Sequence, residues 1–162
     1  MLPFSSNSRL GRGLLLAAVV ASASAFAVPA LAGECPADQK KANAREAVDL
    51  KPVGVTDIVI ASIDVSKAPF NIDGRNFRMR KLTIEPGGIV PWHSHADRPA
   101  IIYIIEGEIH EYASNCAAPI VQKAGDVVAE TPEVSHWWKN LGDKTVVLLS
   151  ADLLHDPNDH NM

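Results

Sequence analysis

The chain carries only two cysteines, Cys35 and Cys116, in 162 residues. They stand far apart, which excludes a local CxxC zinc or redox motif. There is no basic excess either: 15 Lys and Arg face 19 Asp and Glu, for a net charge of −4. Without a basic stripe, nucleic acid and anionic membrane surfaces are poor partners. The sequence shows no internal repeat, no low-complexity block and no second-domain boundary. It also lacks a helix-turn-helix pattern, which argues against a transcriptional sensor.

The apolar run near the start is too short and too interrupted for a membrane span. Arg9 and Arg12 give a basic region, Leu14 to Val28 is apolar and alanine-rich, and Ala30-Leu31-Ala32 has the A-x-A form of a cleavage site. Residues 1–32 therefore read as a cleaved signal peptide, and the product as periplasmic or secreted with no membrane anchor. Arg9 and Arg12 are not adjacent, which disfavours a twin-arginine signal. Cleavage removes two basic and no acidic residues, so the net charge moves from −4 to −6. In an oxidising compartment Cys35 and Cys116 are candidates for a disulfide, with two free thiols as the alternative.

Residues 33–54 read as an N-terminal arm, with a short helix expected over Ala37 to Val48 from its Ala, Lys, Gln, Arg and Glu content. From Val55 the texture changes to short β-rich runs. Strands are expected over Val55–Val65, Phe77–Ile84, Ala100–Ile105, Glu108–Tyr112, Pro119–Gln122, Asp126–Glu130, Ser135–Lys139 and Thr145–Ala151. Short strands at regular spacing predict an all-β sandwich or barrel over residues 55–152. Residues 153–162 read as a polar, flexible tail.

Chemistry concentrates in two segments. In Gly87-Gly88-Ile89-Val90-Pro91-Trp92-His93-Ser94-His95, two imidazoles lie two residues apart, hence on one face of a strand. His136 lies in the second segment, Gly125 to Asn140. Two histidines plus one form the usual minimum for a transition-metal site. His110, His155 and His160 have no such motif around them and read as surface groups.

These segments resemble the two motifs of the cupin superfamily. Gly87, His93, His95 and Gly107 fit the spacing of the first; Gly125, His136 and Asn140 fit the second. The resemblance spans residues 55–152 and implies a double-stranded β-helix, or jelly-roll barrel. It also implies one divalent metal held by His93, His95 and His136. Iron is the first choice, with manganese, nickel, copper or zinc as alternatives. A small-molecule ligand or substrate and a homodimer are implied as partners.

Two positions depart from the family pattern. The glutamate of the first motif falls on Ala100, which has no donor atom. Thr131-Pro132-Glu133 replaces the P-x-G of the second. A three-histidine site leaves the ion its full charge and more open positions, as in cupin dioxygenases that lack the glutamate. Asp97 and Glu106 are the nearby carboxylates that could compensate, Asp97 being two residues past His95.

Around the histidines, Trp138 shares the parity of His136 and is expected to line the pocket. Arg78 and Arg80 share a strand face. A solvated face is the simpler reading and a carboxylate clamp the functional one. Arg98 could reach the pocket mouth. Tyr103 has the opposite parity to Ala100 and should point away. The chemistry expected is dioxygenase-like action on a small metal-chelating substrate. Alternatives are a non-catalytic periplasmic binding module and a metal-dependent isomerase or lyase.

Overall fold

The computed structural model describes residues 33–155 except 71 and 73. The expected signal peptide, and the tail beyond residue 155, lie outside the described residues. Eight strands carry the fold: β1 (Val53–Asp64), β2 (Asn76–Ser94), β3 (Ala100–Glu106), β4 (Glu108–Ala113), β5 (Ile120–Lys123), β6 (Val127–Glu130), β7 (Ser135–Lys139) and β8 (Val146–Leu154). They form an antiparallel sheet in the order β5-β4-β7-β2-β8-β3-β6, with β1 paired to β2. This curled sheet is the cupin-type jelly-roll barrel.

Sequence alternation sets which face is buried. β8 alternates buried and half-buried residues along its whole length, and β3 buries Ala100, Ile102 and Ile104 while Ile101 and Tyr103 face out. The inward residues pack as one core that includes Leu82, Ile84, Val90, Ile104, Ile109, Trp138, Val146 and Leu148. Each such side chain contributes about 1.5–3 kcal/mol on burial.

β2 organises the barrel. Its first half, Asn76 to Ile84, pairs with β8 on one side and β1 on the other. Its second half, from Ile89 to Ser94, pairs with β7. The sequence suggests an end to the strand at Pro86-Gly87-Gly88; instead the chain bends there and continues. The bend is locked from β7, because Gly87 N–H donates to Asn140 O at 3.0 Å and Asn140 N–H donates to Gly88 O at 3.0 Å. The fully buried Asn140 amide also donates to Ile84 O, at 3.1 Å. Gly107, which turns β3 into β4, has φ +87°, and a Cβ there would lie 2.9 Å from Val146 Cγ2. Only glycine suits that position.

The arm is not helical beyond a single 3-10 turn at Ala37–Gln39. Its backbone is committed elsewhere. Lys41 N–H donates to Asn115 O, Ala44 N–H donates to Ser114 O, and Gln39 O accepts from Ala117 N–H. Asn43 adopts φ +53°, which a helix cannot contain. A Cys35–Cys116 disulfide spans a sequence separation of 81 and fixes the arm against β4 and β5. At the other end β8 runs through Leu154, so residues 153 and 154 belong to the barrel rather than to a flexible tail.

Closing so long a loop restricts the unfolded chain, and removing a native disulfide from a small domain costs about 2–5 kcal/mol. Reduction should therefore lower the thermal midpoint by several degrees and release the arm. Thermal melts with and without dithiothreitol, with proteolysis of residues 33–52 as a second readout, check this; identical melts would show that the arm contributes nothing.

Candidate metal centre

His93 on β2 and His136 on β7 are direct cross-strand partners, so their imidazoles leave the sheet side by side. His95, just past the end of β2, joins them from the same face. All three are buried. The three Nε2 atoms form a near-equilateral triangle, with sides of 3.0, 3.1 and 3.2 Å. Ligands about 2.1 Å from a common ion would be about 3.0 Å apart at right angles and about 3.4 Å apart in a tetrahedron. The triangle thus fits three ligands on one face of an octahedron.

The outer nitrogens fix the tautomers. His93 Nδ1 lies 2.8 Å from Pro91 O, His95 Nδ1 2.9 Å from Arg98 O, and His136 Nδ1 2.8 Å from Glu111 Oε1. All three partners are acceptors, so each Nδ1 carries the hydrogen and each Nε2 presents a lone pair. The Trp138 indole nitrogen also lies 3.1 Å from His136 Nδ1. That atom cannot both donate and accept; the shorter, charge-assisted contact to Glu111 holds the hydrogen. Three lone pairs aimed at one point satisfy nothing among themselves. A cation resolves the conflict, and the Nδ1 contacts are the orienting bonds that metal-binding histidines characteristically make.

Two carboxylates flank the triad from strands where sequence reading had placed none. Glu111 on β4 and Glu130 on β6 are both buried, and Glu130 Oε2 lies 3.9 Å from His95 Nε2 and 3.4 Å from His136 Nδ1. Parity could have found them, since Glu111 follows Ile109, and Glu130 follows Val128, by two residues on the inward face. Burial raises the Glu130 pKa to about 8; His136 opposes the rise and Glu111 adds to it. Burial lowers His95 to about 4 and His93 well below its ordinary value, with His136 repelling protons from both. His136 itself moves upward: burial pulls it down, but Glu130 and Glu111 outweigh that.

The triad opens onto a cavity of about 30 Å³ lined also by Glu130, Arg80 and Trp138. On its far side Glu130, with Glu111, borders an outer cleft of about 330 Å³ beside Cys35 and Lys40.

The other expected site residues divide. Trp138 and Arg80 line the cavity. Arg80 is not on a solvated face: it is buried, donates to Asp57 Oδ2 at 2.5 Å, and lies 3.3 Å from the fully buried Asp152. Arg78 grips both oxygens of Asp152 at 3.0 and 2.7 Å. Arg98 is also buried, with Nη1 3.4 Å from Asp152 Oδ2. Its carbonyl orients His95. Asp97 does not reach the pocket. Its side chain is 66% exposed and held outward by Arg75 and His155. The chain leaves β2 after Ser94, so strand parity no longer applies at Asp97. Glu106 is exposed at the end of β3, and His110 is half-buried on β4.

The fold and the triad together define a small double-stranded β-helix barrel with histidines gathered inside it. The family model described as Cupin domain matches residues 80–152. That match identifies residues 80–152 as a cupin domain. Among solved structures, it is similar to an uncharacterized conserved protein with a double-stranded β-helix domain from Klebsiella pneumoniae subsp. pneumoniae MGH 78578. That match has 17% identity and TM-score 0.50, covering 68% of this chain and 84% of the other. It is also similar to an oxalate oxidase in complex with the substrate analogue glycolate, with 21% identity and TM-score 0.50, covering 74% of this chain but 58% of that one. A predicted oxalate decarboxylase from Thermotoga maritima matches at 22% identity and TM-score 0.48, covering 64% and 90%. No curated protein sequence matches significantly.

The histidine shifts have a testable sign. His93 and His95 ionise near 6.5 in the unfolded chain, whereas folded His95 does so at about 4 and His93 also well below 6.5. Within that window the unfolded state binds more protons, so their contribution makes unfolding easier as pH falls from about 6.5 toward 4. Their penalty is absent above 6.5. Going from pH 7 to 5, the melting temperature of chelator-treated protein should drop more than that of a His93→Gln, His95→Gln double variant. Equal drops in calorimetric melts would show that these imidazoles are not held neutral.

Proposed function

We propose that this protein is an exported metal-binding cupin in which His93, His95 and His136 hold one divalent ion, iron first among the candidates. It would act on a small metal-chelating substrate in dioxygenase-like fashion. One observation carries this reading: the three Nε2 atoms converge while every Nδ1 is bonded outward. A bound ion of this kind supplies Lewis acidity and, if redox-active, electrons. The chain's own groups do the rest. Pro91 O, Arg98 O and Glu111 keep the imidazoles aimed, while Trp138, Leu82 and Val90 give the cavity an apolar lining. The limited cavity suits a ligand of few atoms. The same tightness favours a second reading, a periplasmic module that holds a metal or small anion without turnover. Export is supported by the signal-like sequence of residues 1–32 and by the disulfide, a bond typical of oxidising compartments.

The test is elemental analysis of protein expressed with its N-terminal segment and purified from the periplasm, beside a His93→Ala, His95→Ala double variant. Near-stoichiometric metal in the wild type and its loss in the variant are expected. Iron, together with oxygen uptake on addition of small chelating diketones, catechols or thiols, would establish the dioxygenase reading. Tight metal without turnover would favour the binding module. Wild type that holds no metal after reconstitution would exclude both metal readings.

We also propose a homodimer formed through β1. Among the described residues this strand pairs only with β2, and Ile58, Val59, Ile60 and Ile63 are each more than half exposed along it. An apolar edge strand left in water invites pairing. Sedimentation should give a dimer for the wild type and a monomer for Val59→Lys, Ile60→Lys; a monomeric wild type rejects the proposal.

A further inference from the structure

Gly33, the residue expected to follow the cleaved segment, is seated against β5. Its carbonyl accepts from Gln122 Nε2 at 3.0 Å, and a Cβ placed on it would collide with Gln122 Oε1. Its φ is +91°, a conformation glycine takes readily. That angle constrains the residue only while Ala32 is attached; the collision remains once Ala32 is gone. Two residues on, the Cys35–Cys116 disulfide fixes the segment. Gln122 is fully buried. Its amide nitrogen uses both hydrogens, one on Gly33 O and one on Glu111 Oε2 at 2.9 Å. Its oxygen, Oε1, is buried with no hydrogen-bond partner among the described residues, and an unmet buried acceptor destabilises the fold. The Gly33 nitrogen is bonded to the same Cα as the colliding Cβ position and lies about 2.5 Å from it. A small backbone adjustment therefore brings that nitrogen to Oε1. Glu34, Glu111 and Glu130 border the adjoining cleft, with Lys40 as the cation. Surroundings with this excess of carboxylates favour a positive charge.

We propose that removal of residues 1–32 completes this site: the α-ammonium group it creates on Gly33 donates to Gln122 Oε1 and locks the mature N-terminus into the wall of the barrel. Hydrolysis of the Ala32–Gly33 peptide bond puts the hydroxyl of water on the Ala32 carbonyl carbon. It leaves an amine, protonated from solvent, on Gly33. The nitrogen then carries three hydrogens in place of one, and a charge that the uncleaved amide lacks. The inference rests on the export reading. Its consequence reaches the histidines, because Gly33 O, Gln122 Nε2 and Glu111 form one chain of hydrogen bonds that ends at His136 Nδ1. The mature N-terminus is thereby a positioning group for Glu111 and, through it, for His136.

The test uses protein purified from the periplasm after expression with its full N-terminal segment. Intact mass and N-terminal sequencing come first. Competitive acetylation at graded pH then gives the pKa and reactivity of the α-amine. A free α-amine ionises near about 7.7–8.0. Docked, it is expected about one unit higher, and so about tenfold less reactive at neutral pH. A Gln-Thr insertion after Ala32 supplies the control, because cleavage then leaves Gly33 with an amide nitrogen. In that variant the α-amine should return to the ordinary range, and the His136 Nδ1–H resonance of chelator-treated protein should shift or be lost to exchange. A chain end merely tethered by the disulfide would not move that resonance. Should the insertion variant fail to fold, the wild-type α-amine decides alone. An ordinary α-amine in a wild type that begins at Gly33, or an unchanged His136 resonance in the folded insertion variant, would overturn this inference and leave export intact. Wild type that keeps residues 1–32, or begins at another residue, would instead overturn the cleavage reading and this inference with it.

Discussion

The register between β2 and β7 is the constraint on which the rest depends. It sets His93 against His136, and it holds only because β2 survives its bend at Pro86-Gly87-Gly88. Asn140 makes that survival possible by replacing ladder bonds the bend breaks. A shift of one residue on either strand would turn an imidazole outward. The same register places Val90 against Trp138, so the apolar wall and the ligand set are one decision. The glycines and asparagine of the two motifs are therefore architectural, and the histidines are the group that could hold a metal. Both are needed because the second would have no geometry without the first.

Inside this frame lie two buried charge systems with different logic. Around Asp152, the guanidinium groups of Arg78, Arg80 and Arg98 lie within 3.4 Å of one carboxylate. Arg80 also engages Asp57. Ions this deep are tolerated only when paired, and deleting one partner leaves a buried charge, at a cost of about 3–5 kcal/mol. This cluster fastens β2, β8 and the segment after His95 together, and thereby holds the Arg98 carbonyl beneath His95. Around the triad the balance is reversed. Three imidazoles and two carboxylates converge there; burial pushes the Glu130 pKa up, and Glu130 and Glu111 together outweigh burial to raise that of His136. The two systems meet at Arg80, which belongs to the Asp152 cluster and lines the same cavity as the triad.

How much of this was legible follows from which physics each residue obeys. Strand positions, inward parity and the shared face of His93 and His95 were readable because a half-buried sheet writes its period directly into the sequence. Ala100, Ile102 and Ile104 alternate with Ile101 and Tyr103, and the structure keeps that alternation. The arm was misread as helical because propensity is a weak prior. Contacts with residues 114–117 and the disulfide outvote it. Strand parity would bring Asp97 to the face of His95 only if the strand stayed regular, and Asp97 lies three residues beyond Ser94, where it stops. Arg78 and Arg80 looked like a wet face because their partner, Asp152, is more than 70 residues away and no local pattern announces it. Glu111 and Glu130 escape a motif-based reading for a related reason: a motif runs along the chain, whereas neighbours in a sheet are found across it.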